Sequence, residues 1–436
     1  MSSKVIKLYP PSILSAAQVR IPGSKSYTNR ALILAAVADG ESTLAFPSYS
    51  DDSKTLMSAL EKLGVEFEQG KDKLIVKGRG GNFLPYKGEI NVGAAGTSMR
   101  FLLSLCALVE GAEITLCGSE RMHQRPINDL VNALRSIGAS IEYLGTEGCP
   151  PLKIRGKGDL IGGTVSMPGN QSSQYFSSLL MVGPLLQDGL MIEVKGNQIS
   201  RSYIDMTFDS LSSFDVHAKN SNYLSYYVKG GKLPKSNTYQ IEGDASGASY
   251  FWAFAALANT KIRVLNINPR SVQGDVHFPQ ILERMGCKVS TGFTGIEGWI
   301  EVSGVPQLKG VNADMTLMPD TAQTLAVVAA TANSPTNITG LSTLRIKETD
   351  RIDALHNELK SLGVESETDE ESIKVFPNSI HPARIKTYDD HRMAMSFAVL
   401  SGKYENIEIE DPQVVNKSFP EFWSLLNTLG IRQEVI

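Results

Sequence analysis

The sequence predicts an α/β protein of two domains, each made of three copies of one βαβαββ-like unit with a buried apolar helix. Three observations carry this prediction: a polar loop followed by an apolar helix occurs six times, a second helical motif follows each copy, and short β-like runs separate them. At about 150 residues per domain, a chain of 436 residues has room for two or three domains.

The first repeated motif joins a small-residue or polar loop to a helix of almost wholly apolar residues. Its copies are GSKSYTNRALILAAV from Gly23, AAGTSMRFLLSLCAL from Ala94, NQSSQYFSSLLMVGPLL from Asn170, GDASGASYFWAFAALA from Gly243, PDTAQTLAVVAATA from Pro319 and DDHRMAMSFAVL from Asp389. A helix that is apolar on every face must be buried on every face, so three such helices are expected inside each domain.

The second motif is an amphipathic helix that ends in Leu-x-x-apolar-Gly. Its copies are LEKLG from Leu60, LRSIG from Leu134, LSSFD from Leu211, LERMG from Leu282, LKSLG from Leu359 and LNTLG from Leu426. Five copies end in glycine, where a left-handed residue closes a helix, and the third has Asp215 instead. The leucines recur with a period near 70 residues, which indicates six copies of one folding unit.

Short runs such as KLIVKG, GEINVG, AEITLCG and WIEVSG are typical of β-strands and lie between the helices. Each unit is therefore α/β. With the apolar helices inside, the sheets and the amphipathic helices are expected on the outside of each domain.

Composition narrows the class of protein. The formal net charge of -4 argues weakly against a nucleic-acid-binding surface and leaves room for a local basic cleft. The four cysteines and six histidines have no metal-like spacing, so we expect reduced, structural cysteines and no metal site. The start of the chain has no long apolar core and no apolar run reaches the length of a membrane span. We expect a cytoplasmic protein.

The polar loops at the starts of the apolar helices predict an anion-binding site. Helix N-termini carry unpaired N–H groups and partial positive charge. If the helices point the same way, their N-termini meet on one face of each domain, and two opposed faces form an electropositive cleft. The alternative is that the hydroxyl, carboxyl and amide side chains in these loops only cap helices. The loops and their surroundings also supply cations, namely Lys25, Arg30, Arg100, Arg125, Arg351 and Arg392.

These motifs resemble one family. PGSKSYTNRALILAA, AGTSMRFL, RMHQRPI, SSQYFSSLLM, EGDASGASYF, RIKETDRI and DDHRMAMSFA occur in the order found in 5-enolpyruvylshikimate-3-phosphate synthases. The resemblance implies the inside-out α/β fold, with a shikimate-3-phosphate-side domain over 21–242 and a second domain over 1–20 plus 243–436. It also implies a hinge at the two crossovers, an active site in the cleft and a monomer.

The same resemblance implies a reaction and its site residues. Phosphoenolpyruvate and shikimate 3-phosphate would give the enolpyruvyl ether and phosphate, without metal or organic cofactor. The implied catalytic residues are Lys25, Asp320 and Glu348. The implied contacts of shikimate 3-phosphate are Lys25, Ser26, Arg30, Ser172, Ser173, Gln174, Ser200, Tyr203, Asp320 and Lys347. The implied contacts of phosphoenolpyruvate are Lys25, Gly96, Thr97, Arg125, Gln174, Arg351, Arg392 and Lys417.

Several of these residues have other interpretations from the sequence alone. Glu348 and Arg351 have the spacing of a surface helix pair. Asp320 could cap the helix that starts near Thr321. Tyr203 could be a core residue, and His391 is interpreted as a structural neighbour of the site rather than a catalyst.

The sequence departs from the family pattern at three positions. Ala94 and Thr343 stand where many members have asparagine, and Phe101 replaces a common proline. These changes leave the response to glyphosate open.

Two other functions are alternatives. UDP-N-acetylglucosamine enolpyruvyl transferase shares the fold, but it usually has a loop cysteine where this chain has Glu120. A non-catalytic anion-binding module predicts loss of Lys25, Asp320, Glu348 or Arg392, and all four are present.

Overall fold

The computed structural model describes residues 4–11 and 15–436. The chain divides into two compact units, which we call the inserted unit (Gly23–Ile241) and the flanking unit (Met1–Pro22 with Glu242–Ile436). These limits fall within two residues of the boundaries expected from the sequence. That the inserted unit is the shikimate-3-phosphate side stays a prediction.

Strands and helices alternate along the chain. The strands are β1 Val5–Tyr9, β2 Ala17–Arg20, β3 Asp39–Ala45, β4 Glu66–Gln69, β5 Lys73–Arg79, β6 Lys87–Asn91, β7 Glu113–Cys117, β8 Ser140–Tyr143, β9 Leu152–Arg155, β10 Gly163–Pro168, β11 Leu190–Lys195, β12 Ala218–Ser221, β13 Ser225–Val228, β14 Thr238–Gln240, β15 Lys261–Leu265, β16 Lys288–Thr294, β17 Glu297–Ser303, β18 Asn312–Asp314, β19 Thr336–Thr339, β20 Glu365–Thr368, β21 Ile373–Phe376, β22 Arg384–Ile385, β23 Ile407–Glu410 and β24 Arg432–Val435.

The helices are α1 Lys25–Val37, α2 Asp51–Lys62, α3 Gly96–Ala107, α4 Asn128–Ser136, α5 Ser173–Val182, α6 Arg201–Ser213, α7 Ala245–Leu257, α8 Phe278–Arg284, α9 Ala322–Ala329, α10 Arg351–Ser361, α11 His391–Ala398 and α12 Phe422–Thr428. Short 3₁₀ helices include Met122–Gln124, Pro319–Thr321, Ser342–Ile346 and Pro412–Lys417.

The six predicted repeats are present in the described part of the chain as six four-stranded sheets, three in each unit. In each sheet one outer pair of strands is parallel and the other pairs are antiparallel. In the sheet β6-β7-β9-β8, for example, Ile90 on β6 pairs with Leu116 on β7 in parallel, and Leu116 pairs with Leu152 on β9 in antiparallel. This is the expected βαβαββ unit.

Two strands belong to sheets that the sequence order does not suggest. β2 directly precedes α1 in the chain, yet it pairs with β15 of the flanking unit, Val19 opposite Val264. β14 directly precedes α7, yet it pairs with β3 of the inserted unit, Tyr239 opposite Leu44. At each crossover the strand therefore stays in the unit that the chain is leaving.

The six apolar helices α1, α3, α5, α7, α9 and α11 form the cores, as predicted. Leu32 and Leu34 of α1 and Phe251 and Trp252 of α7 are fully buried. Two hydrophobic clusters result, one in each unit. The predicted inside-out α/β architecture, with helices inside and sheets outside, is confirmed within each unit.

The amphipathic helices end as the second motif predicts. All five motif glycines have positive φ angles, from 80° to 112°. Asp215 takes the same left-handed conformation, with φ of 57°, without the freedom of glycine. The third repeat therefore also ends its helix with a left-handed residue, although that residue is not glycine.

Residues 4–11 and 15–436 include no helix with the length and hydropathy needed to span a bilayer. In the same residues no three His, Cys, Asp or Glu side chains are placed to hold a metal ion. The four cysteines are free thiols, and burial raises the pKa of Cys106 to about 12.

Candidate functional site

Lys25 is the first residue of α1, and its ammonium group is ion-paired. Ser24 caps α1 by accepting a hydrogen bond from the backbone N–H of Tyr27, and Lys25 Nζ lies 3.0 Å from Asp52 Oδ2. Asp52 is buried near the start of α2. The sequence motifs did not single out Asp52, since an acidic pair at a helix start is an ordinary favourable use of charge.

Arg30 is buried and donates four hydrogen bonds to protein atoms. Its Nε donates to Thr207 Oγ1 at 2.8 Å, and its terminal nitrogens donate to Ser177 Oγ and to the carbonyls of Ser26 and Tyr203. Burial lowers the pKa of Arg30 to about 10. This arginine ties α1 to α5 and α6, and its predicted contact with substrate stays a prediction.

Gly96, Thr97, Arg125 and Gln174 lie together, as a shared pocket requires. A Cβ atom at Gly96 would stand 2.7 Å from Arg125 Nη1, so the missing side chain makes room for the guanidinium group. Gln174 Nε2 donates to Thr97 Oγ1 at 3.2 Å, which links the starts of α5 and α3. Arg125 Nε is buried without a hydrogen-bond partner among the described residues.

Next to Arg125, the carbonyl of Pro126 is held by Arg100, one of the predicted cations, and by Tyr175, which the motifs did not assign to the site. Arg100 Nη2 and Tyr175 Oη both donate to the carbonyl of Pro126, at 3.2 and 2.5 Å. Arg100 also donates to the carbonyl of Gly96 at 3.2 Å. Arg100 therefore joins the segment that precedes α4 to the start of α3.

The predicted serines stand at two helix starts. Ser172 caps α5 by accepting from the backbone N–H of Gln174, and Ser173 is the first residue of that helix. Ser200 precedes α6 in the left-handed conformation, with φ of 50° and ψ of 45°. Tyr203 is half-buried and packs against the core of the inserted unit, so it has the core contact considered from the sequence.

In the flanking unit, Arg351 lies at the centre of a buried ion cluster. Its Nη1 is 3.0 Å from Asp320 Oδ1, its Nη2 is 3.0 Å from Glu348 Oε2, and its Nε is 2.7 Å from Asp390 Oδ2. Burial alone would lower the pKa of Arg351, but the three carboxylates raise it above its ordinary value. Arg351 therefore stays charged and fixes the positions of the carboxyl groups.

Arg392 and Lys417 complete the cluster. Arg392 Nη2 donates to Asp320 Oδ2 at 3.0 Å, and Lys417 Nζ donates to Glu348 Oε1 at 2.7 Å. Asp320 thus bridges two arginines, and Glu348 bridges Arg351 and Lys417. Such charge-assisted pairs are strong and geometrically specific.

A further carboxyl group, Asp275, lies at the edge of this cluster and was not found from the sequence. Asp275 is 6% exposed and accepts a hydrogen bond from Ser246, whose Oγ also lies 3.5 Å from Arg392 Nη2. Burial, and then the negative charge of Asp320, raise the pKa of Asp275 to about 7. The surrounding run GDVH from Gly274 to His277 matches no catalytic or binding motif.

The geometry decides two of the alternative interpretations. Glu348 and Arg351 do pair at i, i+3, but Arg351 is 1% exposed, so a surface pair is wrong. The N-cap position of α9 belongs to Thr321, and the carboxylate oxygens of Asp320 bind arginines. His391 is buried with Nδ1 3.5 Å from Asp390 Oδ1, as a structural neighbour would be.

The structure says less about the roles of five other residues. They are Lys347, Ser26 and the three departures from the family pattern. Lys347 is half-buried beside Glu348, and Ser26 is half-buried in the first turn of α1. Phe101 is buried with its ring centre 5.7 Å from the Arg30 guanidinium carbon. Thr343 is buried and its hydroxyl has no partner among the described residues, whereas Ala94 is exposed.

Comparison with solved structures gives the class of protein first. The fold is similar to an EPSP synthase from Acinetobacter baumannii, with a TM-score of 0.82, 25% sequence identity and coverage of 100% of both chains. The architecture of six repeats is therefore that of a known group of enzymes.

Sequence comparison then gives the family. The profile described as EPSP synthase (3-phosphoshikimate 1-carboxyvinyltransferase) matches residues 10–426. A 3-phosphoshikimate 1-carboxyvinyltransferase of Trichormus variabilis is 41% identical over 410 residues, which cover 94% of this chain and 95% of the relative. One from Methanoculleus marisnigri is 40% identical over 412 residues, covering 94% and 96%. The chain belongs to the EPSP synthase family.

Proposed function

We propose that this chain transfers the enolpyruvyl group of phosphoenolpyruvate to the 5-hydroxyl group of shikimate 3-phosphate and releases phosphate. This is the step of the shikimate pathway that leads to chorismate and the aromatic amino acids. The observation that carries the proposal is the buried cluster in which Asp320 and Glu348 share Arg351, in a chain of this family. It combines anion-binding cations with carboxylates that can carry protons.

The chemistry requires both kinds of group. The 5-hydroxyl oxygen bonds to C2 of the enol as the hydroxyl proton leaves and C3 gains a proton. The bond from C2 to the phosphate oxygen then breaks, and C3 loses a proton. We assign the hydroxyl proton to Asp320 and the proton at C3 to Glu348, with Lys25 beside the enol. No step is an oxidation or reduction, so the reaction needs no redox cofactor.

Shikimate 3-phosphate is assigned to the inserted unit for most of its contacts. The starts of α1, α5 and α6 offer hydroxyl groups and backbone N–H groups, which suit a phosphate group. The proposed contacts are Lys25, Ser26, Arg30, Ser172, Ser173, Gln174, Ser200 and Tyr203, with Asp320 and Lys347 from the flanking unit.

Phosphoenolpyruvate is assigned to cations of both units. Arg351 and Arg392 bind protein carboxylates, and a substrate carboxylate or phosphate group offers the same bidentate acceptor geometry. The proposed contacts are Lys25, Gly96, Thr97, Arg125, Gln174, Arg351, Arg392 and Lys417. In this assignment, residues of both units bind the same two substrates.

The test is phosphate release from phosphoenolpyruvate by the purified protein. Shikimate 3-phosphate is offered in one reaction and UDP-N-acetylglucosamine in a parallel one. We expect release with shikimate 3-phosphate only. Phosphate release with the nucleotide sugar only would mean that UDP-N-acetylglucosamine, not shikimate 3-phosphate, is the acceptor. Binding of shikimate 3-phosphate without phosphate release would favour a non-catalytic module.

We also propose a cytoplasmic monomer without a nucleic-acid partner. Both proposed substrates are highly charged and do not cross bilayers unaided, and the formal net charge of -4 does not favour nucleic acid. Light scattering after gel filtration should give one 47.3 kDa chain.

A further inference from the structure

Gln198 is a buried amide that the proposed mechanism does not use. It lies in the loop between β11 and α6, two residues before Ser200, and its side chain is 4% exposed. Burying a primary amide is costly unless its donors and acceptor are satisfied.

Three hydrogen bonds hold this amide. Its Nε2 donates to the carbonyl of Ile199 at 2.9 Å and to the carbonyl of Gly169 at 3.4 Å. Its Oε1 accepts from the hydroxyl of Tyr226 at 3.2 Å. Tyr226 is fully buried and packs edge-on against Phe176 of α5, with ring centres 5.5 Å apart. The amide is therefore anchored to a rigid part of the core.

The Gly169 carbonyl belongs to a second loop, which leads into α5 and its serines. It also accepts the backbone N–H of Ile199 at 3.0 Å. A Cβ atom at Gly169 would lie 2.7 Å from the carbonyl oxygen of Asn197, so the two loops run in backbone contact. Gln198 thus adds a side-chain cross-link to a backbone cross-link between the loops.

The loop of Gln198 also holds a strained residue. Ser200 is left-handed, with φ of 50°, a conformation that is unfavourable for a residue with a Cβ atom. Such conformations persist only where the surroundings fix them, and they cluster at ligand sites. The bonds of Gln198 to Ile199 and Gly169 fix the backbone immediately before Ser200.

We propose that Gln198 is a positioning residue for the phosphate of shikimate 3-phosphate. By joining the two loops, it keeps Ser172 and Ser173 at α5 and Ser200 at α6 in one binding arrangement. This inference rests on the proposed function, because that function supplies the phosphate. Gln198 itself is too deeply buried to be a principal ligand.

The test is the variant Gln198→Met, which keeps the length of the side chain and removes its donors and acceptor. Calorimetry should show shikimate 3-phosphate binding about tenfold more weakly, because the side chain no longer joins the two loops that carry the serines. The KM for shikimate 3-phosphate should rise in parallel, while the KM for phosphoenolpyruvate and kcat change less than about twofold.

Two variants make the result specific. Tyr226→Phe removes only the hydroxyl that binds Gln198 and should weaken the affinity for shikimate 3-phosphate by about threefold. This variant also tests the role of Gln198 if the Gln198→Met protein does not fold. Gln433→Met removes a comparable bond, to the carbonyl of Trp423 in the flanking unit, and should leave the affinity unchanged.

The outcomes separate this inference from the proposed function. Wild-type turnover with unchanged affinity in Gln198→Met and Tyr226→Phe would overturn the role of Gln198 and leave the function standing. An equal rise in both KM values would show a general structural role and also overturn it. A folded wild type that neither binds nor turns over shikimate 3-phosphate would remove the proposed function, and this inference with it.

Discussion

Glu348 tests the chemistry most directly, because it bridges Arg351 and Lys417 and is our candidate for the proton at C3. Glu348→Gln keeps the shape and removes proton transfer, so kcat should fall by about 10²–10⁴-fold. The Kd for shikimate 3-phosphate should change less than about threefold. Steady-state kinetics and calorimetry measure both.

Glu405→Gln, at an exposed position, is the matched control and should behave as the wild type. A large loss of affinity in Glu348→Gln with normal kcat would reverse the assignment of Glu348 to proton transfer.

Asp275 predicts a pH dependence of stability. Its pKa is 3.8 when unfolded and about 7 when folded, so between these values the folded chain holds a proton that the unfolded chain releases. The free energy of unfolding should therefore fall as pH rises from about 4 to about 7, and this effect should then level off. The shift corresponds to a cost of roughly 4 kcal/mol at most.

Asp275→Asn removes this ionisation and should be more stable than the wild type at pH 8 but not at pH 4. Urea denaturation across that range measures it, with exposed Asp188→Asn as the control. A constant difference between Asp275→Asn and the wild type at all pH values would contradict the prediction.

The sequence motifs identified the site residues that lie within them. They did not identify residues whose only link to the site is a tertiary contact. Lys25, Asp320 and Glu348 lie in recognisable motifs, whereas Asp52, Asp275 and Gln198 become relevant only by contact. Gln198 meets a carbonyl 29 residues away and a hydroxyl 28 residues away. Periodicity and local motifs do not report such tertiary partners.

Among the elements, the apolar helices were the most predictable, because a helix with no polar face is stable only in the interior of a domain. Leu102 in the middle of α3 is fully buried. Leu102→Ala should lower the free energy of unfolding by about 2–5 kcal/mol through lost burial and a residual cavity.

Urea denaturation measures this loss. Leu224→Ala is the control, since Leu224 is 67% exposed and its truncation should change stability by less than about 0.5 kcal/mol. Similar losses in both variants would show that burial does not set the contribution of Leu102.

The strands were predicted as elements but not all as partners. Runs such as GEINVG and AEITLCG became β6 and β7 of one sheet. The expected boundaries leave β2 in the flanking unit and β14 in the inserted unit, but the local pattern does not give their partner strands, β15 and β3. Pairing depends on long-range contacts that the local pattern does not contain.

For the whole molecule, the proposed function assigns residues of both units to the same reaction, so we predict that shikimate 3-phosphate makes the protein more compact. The two crossovers near residues 22 and 242 are the expected hinge. Small-angle scattering should show a smaller radius of gyration with saturating ligand, and shikimate without the phosphate should have a weaker effect. An unchanged radius with bound ligand would contradict closure.

The topology also separates the synthesis of β1 from the synthesis of its partner strands. β1 lies between β23 and β24, and Leu8 pairs with Ile407, which a ribosome adds 399 residues later (407 minus 8). At 5–20 residues per second this takes roughly 20–80 s. During that time the nascent chain carries a strand whose neighbours do not yet exist, and the inserted unit, from Gly23 to Ile241, is completed within the same interval. The inserted unit is therefore available for folding before the flanking unit, in which the sheet that contains β1 is completed last.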